Sequence, residues 1–503
     1  MDNKSIIIIG GGLGGLFTGA ILAKERYRVT VIEKNTNIGG GLQTFVRDKN
    51  IFETGMHILG GFRKGGSIHK ICSYLGIMDR LELMDVDADC MDSLHFFSDN
   101  CTYEISEGRE NFVSRLSAYF PEEKENIHKY VDALYNIADE VDFFYLKSGR
   151  DEIFSHSEKF LWSADEFIAY YINNPRLRAI LAYMNPMYGG VAKHTPAYIH
   201  ALINVLYING ASRFIGGSQQ LASALSDIIT SNGGEIISGK SVIHIEVKDK
   251  VIQYVKTNDN TMYIADKYIS AIHPCSLLSI MDESAFPRSY RNRLNEIPNT
   301  YSAFTVYLVL KSDYFPYINH TCYCQDDYDT VWDYGQYDDN IWPHGFMYMT
   351  PPVMQQGKFS KKLIITTPMS FNAVRKWKDT TIGNRGLEYK QWKNMCAEIL
   401  ISKLSLLYPQ LRENIEKIYT STPLTIRDYY NVKDGAMYGF RKDCQNIALS
   451  QVPIYTKISN LLLTGQNINL HGICGVPLTA INTVEAIVGK NNIIEKINNE
   501  YEH

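Results

Sequence analysis

The chain has 503 residues, 21% of them charged, and a formal net charge of −5. That length accommodates two or three domains around a large core, and the acidic balance argues against nucleic acid as a partner. Nine cysteines fall outside any C-x-x-C pairing, a scatter that suits free thiols in a reducing compartment, so the cytoplasm is the expected setting.

Taken in chain order, residues 6–9 are four isoleucines, a buried strand that runs into Gly10-Gly-Gly-Leu-Gly-Gly15. Gly10, Gly12 and Gly15 fit G-x-G-x-x-G. The first allows a tight turn, the second lets a pyrophosphate approach the backbone, and the third lets helix and strand pack closely. The helix beginning there, over 16–23, offers free N–H groups to phosphate. Residues 28–33 read as the next parallel strand and end in Glu33, placed to accept bonds from a ribose diol. Residues 6–23 are apolar enough to be misread as a signal peptide or span, but six glycines and an acidic residue at position 2 point elsewhere. No other uninterrupted apolar run reaches about 18 residues.

Periodicity turns helical over 109–205. Ser163-Ala-Asp-Glu166 predicts a capping box opening a helix over 167–171, with Asn174-Pro175 breaking it. A helix over 221–229 leads through Asn232-Gly-Gly234 to strands over 241–247 and 251–255, with a turn at 248–250, and then 268–274. Residues 300–370 alternate apolar and polar, as an antiparallel sheet does. Residues 389–407 are helical again. A buried strand over 461–466, a glycine loop and a helix from about Pro477 to 488 end the chain. Strand–turn–helix units at both ends imply a discontinuous α/β nucleotide domain (1–75, 206–285, 455–503). A substrate domain (76–205, 286–454) carries the helical insertion 109–205. Only one dinucleotide fingerprint is visible.

Beyond the fingerprint, Ile38-Gly-Gly-Gly-Leu-Gln-Thr-Phe45 and Phe52-Glu-Thr-Gly-Met-His-Ile-Leu-Gly60 resemble the flavoprotein superfamily of phytoene desaturases, carotenoid isomerases and amine oxidases. The likeness is strongest to its all-trans-retinol 13,14-reductase (retinol saturase) branch. Segments 209–218, 270–274, 422–425, 435–439 and 463–475 extend it over about 480 residues. The resemblance implies a Rossmann-type FAD-binding domain, a mixed-sheet substrate domain, and FAD rather than NAD as cofactor. Gly10, Gly12, Leu13, Gly14 and Gly15 would hold the pyrophosphate, with Glu33 and Lys34 at the adenosine ribose. Gly40, Gly41, Leu42 and Thr44 would pass beside the diphosphate and ribityl chain. Val242 stands where relatives read the adenine edge through backbone groups, and a plain core valine is an equal reading. Gly465, Gln466, Gly472 and Ile473 would bring N–H groups to the pyrimidine end, with Pro477 in the first turn of the last helix. Asn467 replaces the acid usual after Thr-Gly-Gln, and Gly475-Val-Pro-Leu-Thr-Ala480 replaces the usual run of small residues.

For chemistry at a C=C bond, a proton source must accompany the hydride. His57, beside the expected ring position, is one candidate, with a loop-orienting role as the alternative. Tyr438, in a glycine-flanked turn, is donor or pocket wall. His471 is expected to line the pocket and His273 to be structural. No metal-ligand pattern and no G-x-S-x-G elbow occur. The expected function is FAD-dependent hydride transfer, chiefly saturation, on a long apolar polyene or isoprenoid. Carotenoid-type isomerisation or desaturation, amine oxidation, and a non-catalytic prenyl-binding escort of the same fold are the alternatives. With one fingerprint occupied by flavin, an external electron carrier or reductase is expected. Phe160, Leu161, Trp162, Phe167, Ile168, Tyr170 and Tyr171 form either a membrane-facing mouth for a lipid substrate or the insertion's own core.

Overall fold

The computed structural model describes residues 4–55, 57–148, 156–335, 337–338, 340–353 and 357–502, so Met56 of the second glycine-containing motif and 149–155 of the helical insertion lie outside it. Ser5–Ile9 is the central strand of a five-stranded sheet in which every pair is parallel. Its order is Glu235–Ile237, Arg28–Ile32, Ser5–Ile9, Lys267–Ser270, Leu461–Leu463. A parallel sheet is covered on both faces, which is why Ile6 to Ile9 form an unbroken apolar run instead of an alternating one. Helix Leu13–Lys24 packs between helices Gly472–Val488 and Gln219–Ser231, three residues longer at its start than its apolar pattern suggests. Val242–Lys248 and Val251–Thr257 form an antiparallel ladder. Asp249 and Lys250, both at positive φ, make the tight turn between them.

The second large sheet has seven strands in the order Ile415–Ser421, Ser302–Leu310, Lys362–Met369, Gly345–Met349, Thr321–Gln325, Asp92–Phe96, Cys101–Ile105. Within 300–370 the pairings are antiparallel as expected, but Thr321–Gln325 also pairs in parallel with Asp92–Phe96 from far upstream. The sheet is mixed because the chain between those two strands crosses over through the helical segment. One face is covered by helix Gly386–Ser405, whose Cys396, Leu400 and Leu404 pack on Phe304, Val306 and Leu308. The other face carries Thr305, Tyr307, Met347, Met349, Ile364 and Thr366 toward the nucleotide-binding sheet.

In the helical segment, the Ser163 backbone N–H and side-chain Oγ both bond Glu166 Oε2, closing the capping box on helix Ala164–Tyr171. Asn174 does more than end that helix. Its Oδ1 accepts from the N–H groups of Arg176 and Leu177 and so starts helix Pro175–Leu181. Phe160, Phe167 and Ile168 are buried, whereas Leu161 and Tyr170 are exposed. Part of the aromatic cluster thus belongs to the insertion's core, while Trp162 and Tyr171 are half-buried and Leu161 and Tyr170 reach the surface. Among the described residues no single helix is long and apolar enough to cross a membrane.

Candidate active site

The first strand ends at Gly10, whose φ of +104° lets the chain turn into the helix. Two backbone groups then fasten on Glu33: Gly11 N–H donates to Oε2 and Asn35 N–H to Oε1, each at 2.8 Å. Gly39 N–H donates to Gly11 O at 2.7 Å, laying the 39–41 loop along the fingerprint. A Cβ added at Gly12 would meet nothing nearer than Gly40 Cα at 4.0 Å, so open space lies where a phosphate would approach. At Gly15 the added Cβ would stand 1.9 Å from Gly10 O. That glycine serves helix–strand packing and does not face the cleft. A Cβ on Gly14 would stand 2.9 Å from Gly465 Cα, so the fingerprint helix rests directly on the C-terminal loop.

A single cleft is lined by Gly10, Gly12, Leu13, Gly14, Glu33, Lys34, Gly40, Gly41, Leu42, His57, Val242, Tyr438, Gly465, Gln466 and Gly472. Segments more than 400 residues apart in the chain thus share one wall. Three of the residues expected to hold the cofactor lie off it. Gly15 is packed as described. Thr44 turns its methyl toward the Gly217 turn, where an added Cβ would come within 2.7 Å. Ile473 buries its side chain in the core, and only its backbone belongs to the helix N-terminus. Pro477 also differs from expectation. Helix Gly472–Val488 begins five residues earlier, at a glycine with positive φ, which places Pro477 in the second turn. The proline there forgoes one ladder bond, toward the Ile473 carbonyl, and the free first-turn N–H groups belong to 472–475.

Burial holds the His57 imidazole down to about 4, helped by the Arg213 cation, and its Nε2 is buried with no partner among the described residues. Burial also pushes the Tyr438 phenol well up, so it stays protonated. Its ring leans on His471 with centroids 5.0 Å apart. His471 sits off the cleft wall, held down to about 3 by burial and then by Lys442. His273 lines the cleft, but both its nitrogens are engaged: Nδ1 accepts from Cys275 N–H and Nε2 bonds Asn299 Oδ1.

Several site residues escaped sequence reasoning. Glu53 lines the cleft and accepts from the Ser218 N–H at 2.7 Å and its hydroxyl at 3.1 Å, and burial raises it to about 7. Arg213, almost wholly buried, donates to the carbonyls of His57, Ile318 and Thr350 and to Met349 Sδ. It thereby fixes the segment that carries His57. Both lie inside motifs that the resemblance marks as conspicuous, yet neither has a local pattern of its own. Asn467, in place of the usual acid, accepts the Phe440 N–H at 3.0 Å and ties the C-terminal loop to the Tyr438 turn.

These residues fit a flavin dinucleotide. The Gly12 cradle is open, Glu33 presents a carboxylate with remaining lone pairs, and the uncapped N-terminus of helix Gly472–Val488 opens on the same cleft. Residues 8–75 match the NAD(P)-binding Rossmann-like domain family. The chain is 25% identical to an all-trans-retinol 13,14-reductase from Rattus norvegicus over 97% of its own length and 86% of that protein's. It is 23% identical to a chloroplastic prolycopene isomerase from an Oncidium hybrid cultivar over 87% of its length and 75% of that protein's. A solved putrescine oxidase variant superposes with a TM-score of 0.65 at 14% identity, covering 96% of this chain and 98% of that one, which shows the shared fold. Over nearly its whole length the chain is thus similar to the phytoene desaturase, carotenoid isomerase and retinol saturase-like family of FAD-dependent oxidoreductases.

Proposed function

We propose that this protein transfers hydride to a C=C bond of a long apolar polyene, acting chiefly as a saturating reductase. The observation that carries the reading is the joining of two surfaces in one cleft. The glycine cradle and Glu33 form one wall, and Met347, Met349, Ile364 and Tyr307 of the large sheet form the other. The polyene-directed names of the relatives support the same substrate class. FAD, when bound, supplies the hydride-transfer chemistry.

The chain's own residues do the rest. Gly12 and Gly40 leave room for the diphosphate, and Glu33 would accept from the ribose. The first-turn N–H groups of helix Gly472–Val488 would favour negative charge on a bound flavin by about 0.3–1 kcal/mol. His57, neutral at physiological pH with an unengaged Nε2, and Tyr438, a protonated phenol on the cleft wall, are the groups assigned to hold and move the substrate proton. The apolar sheet face excludes water from the reacting carbons. Electrons arrive from a separate reductase or carrier, and the poorly soluble substrate arrives from a carrier or bilayer.

Anaerobic reduction of the bound flavin followed by addition of individual polyenes tests the proposal. Stoichiometric reoxidation with a product two hydrogens heavier is the expected result. Bleaching of the oxidised flavin by simple amines, with no response to any polyene, would instead identify an amine oxidase.

A further inference from the structure

We propose that a second cavity, behind one wall of the cleft, is a binding site for a carboxylate carried on a flat aromatic ring. The site goes beyond the reading above, because its ligand is neither the polyene nor the cofactor.

The cavity measures about 380 Å³ and shares no lining residue with the cleft. The wall between them follows from the chain path. Residues 298–301 and 437–441 run antiparallel: Arg441 N–H donates to Pro298 O at 2.8 Å, Thr300 N–H to Gly439 O at 2.9 Å and Met437 N–H to Tyr301 O at 3.2 Å. Met437 and Tyr438 line the cleft, whereas Thr300, Tyr301 and Arg441 of the same ribbon line the cavity. Side chains pin the ribbon as well. Tyr438 N–H donates to Thr300 Oγ1 at 3.1 Å, and His273 of the cleft bonds Asn299 of the cavity at 3.0 Å.

Two arginines, Arg375 and Arg441, line this cavity. Arg441 Nη2 donates to Asp443 Oδ2 at 3.2 Å, which holds the guanidinium in place, while its Nε is buried without a partner among the described residues. Buried donors are ordinarily paired, so this one marks a bond that the chain itself does not supply. Arg375 engages only its Nε, toward Asn372 Oδ1 at 3.0 Å, and the two terminal nitrogens of its fork have no partner among the described residues. Asp434 is the one carboxylate on the lining, and it is ion-paired with neither arginine among the described residues.

The lining selects its occupant. Two cations against one carboxylate leave a formal charge of +1, which a monoanion neutralises. A carboxylate is a monoanion, and its two oxygens match the planar N–H fork of a guanidinium. A phosphate monoester, with a charge of about −1.5 to −2 at neutral pH, overshoots that balance. An ammonium is repelled by the net charge, and a pure hydrocarbon leaves the arginine N–H groups without acceptors. The buried Tyr301 and Phe371 and the half-buried Trp332 supply aromatic walls on which a flat ring packs.

The test is calorimetric titration of the FAD-loaded full-length protein with 2-naphthoate, with 2-naphthamide and 2-naphthyl phosphate as probes of charge. Naphthoate should bind the wild type about tenfold or more tightly than the neutral amide, the ratio expected for one charge-assisted hydrogen bond, and more tightly than the phosphate. Arg375 is exposed, so Arg375→Gln should keep the wild-type melting temperature and flavin content. It should weaken naphthoate about tenfold while leaving the amide within about twofold. Arg441→Lys keeps the charge but loses the fork, and should weaken naphthoate by a similar factor. Equal binding of naphthoate and naphthamide to the wild type, or no binding of either, would overturn the site. So would naphthoate affinity unchanged in both variants, which would place the probe elsewhere, the flavin cleft included. Tighter binding of the phosphate than of the carboxylate would overturn the assignment of the ligand.

Discussion

At the scale of single residues, Glu33 does two jobs at once. Its carboxylate satisfies the Gly11 and Asn35 N–H groups and still faces the cleft. Glu33→Ala should therefore weaken FAD binding by about 1–3 kcal/mol, the worth of a charge-assisted bond. Fluorescence titration of the apoprotein with FAD measures it, and an unchanged affinity would remove Glu33 from the ribose. Glu53 has the opposite character, because burial outweighs its bonds to Ser218 and raises it from 4.5 to about 7. A carboxyl raised in the folded state ionises first in the unfolded chain. The stability it contributes is thus complete below pH about 4.5 and is lost as pH climbs through about 7, a swing on the order of 3 kcal/mol. Glu53→Gln cannot ionise. Its melting temperature should fall less steeply than that of the wild type between those pH values, and parallel curves would show that the carboxyl is already ionised in the folded protein.

At the scale of elements, the join between the Tyr438 turn and the C-terminal loop is the sensitive point. Gly439 has φ +69°, and a Cβ there would stand 2.2 Å from Asn467 Oδ1, the acceptor of the Phe440 N–H. Gly439→Ala combines backbone strain with a broken buried bond, and should cost about 2–4 kcal/mol of stability. Chemical denaturation gives the energy, and the flavin content of the purified variant reports whether the loop still holds cofactor. The helical insertion makes a second case. Phe167 is fully buried against Tyr130 and Tyr171. Phe167→Ser should lower stability by about 3–5 kcal/mol. Loss of liposome binding in a variant of wild-type stability would instead restore this segment as a membrane-facing mouth.

At the scale of the whole molecule, the chain has one dinucleotide fingerprint, and the cleft it opens is also lined by the large sheet's Tyr307, Met347, Met349 and Ile364. A nicotinamide would have to share that space with flavin. NADH or NADPH alone should therefore reduce the bound flavin slowly or not at all under anaerobic conditions. Stopped-flow absorbance checks this, and rapid stoichiometric bleaching would reveal a second nucleotide site.

What the sequence determined by itself is what local sterics and period dictate. The strand–glycine–helix entrance, Glu33 at the end of the second strand, and the Ser163–Glu166 box depend on residues a few positions apart, and each was legible. The glycines that line the cleft were equally legible, because glycine spacing and a resemblance spread over the chain both pointed to them. Pro477 shows the limit of local preference: packing of the last helix starts it at Gly472 and carries the proline into the second turn. Only the tertiary structure decided which distant strands pair. Asp92 beside Thr321, Arg213 beneath His57, Glu53 on Ser218 and Asn467 on Phe440 are contacts between residues 27 to 229 positions apart. Their cause is long-range burial, which removes water from groups that carry no signal until the fold brings them together.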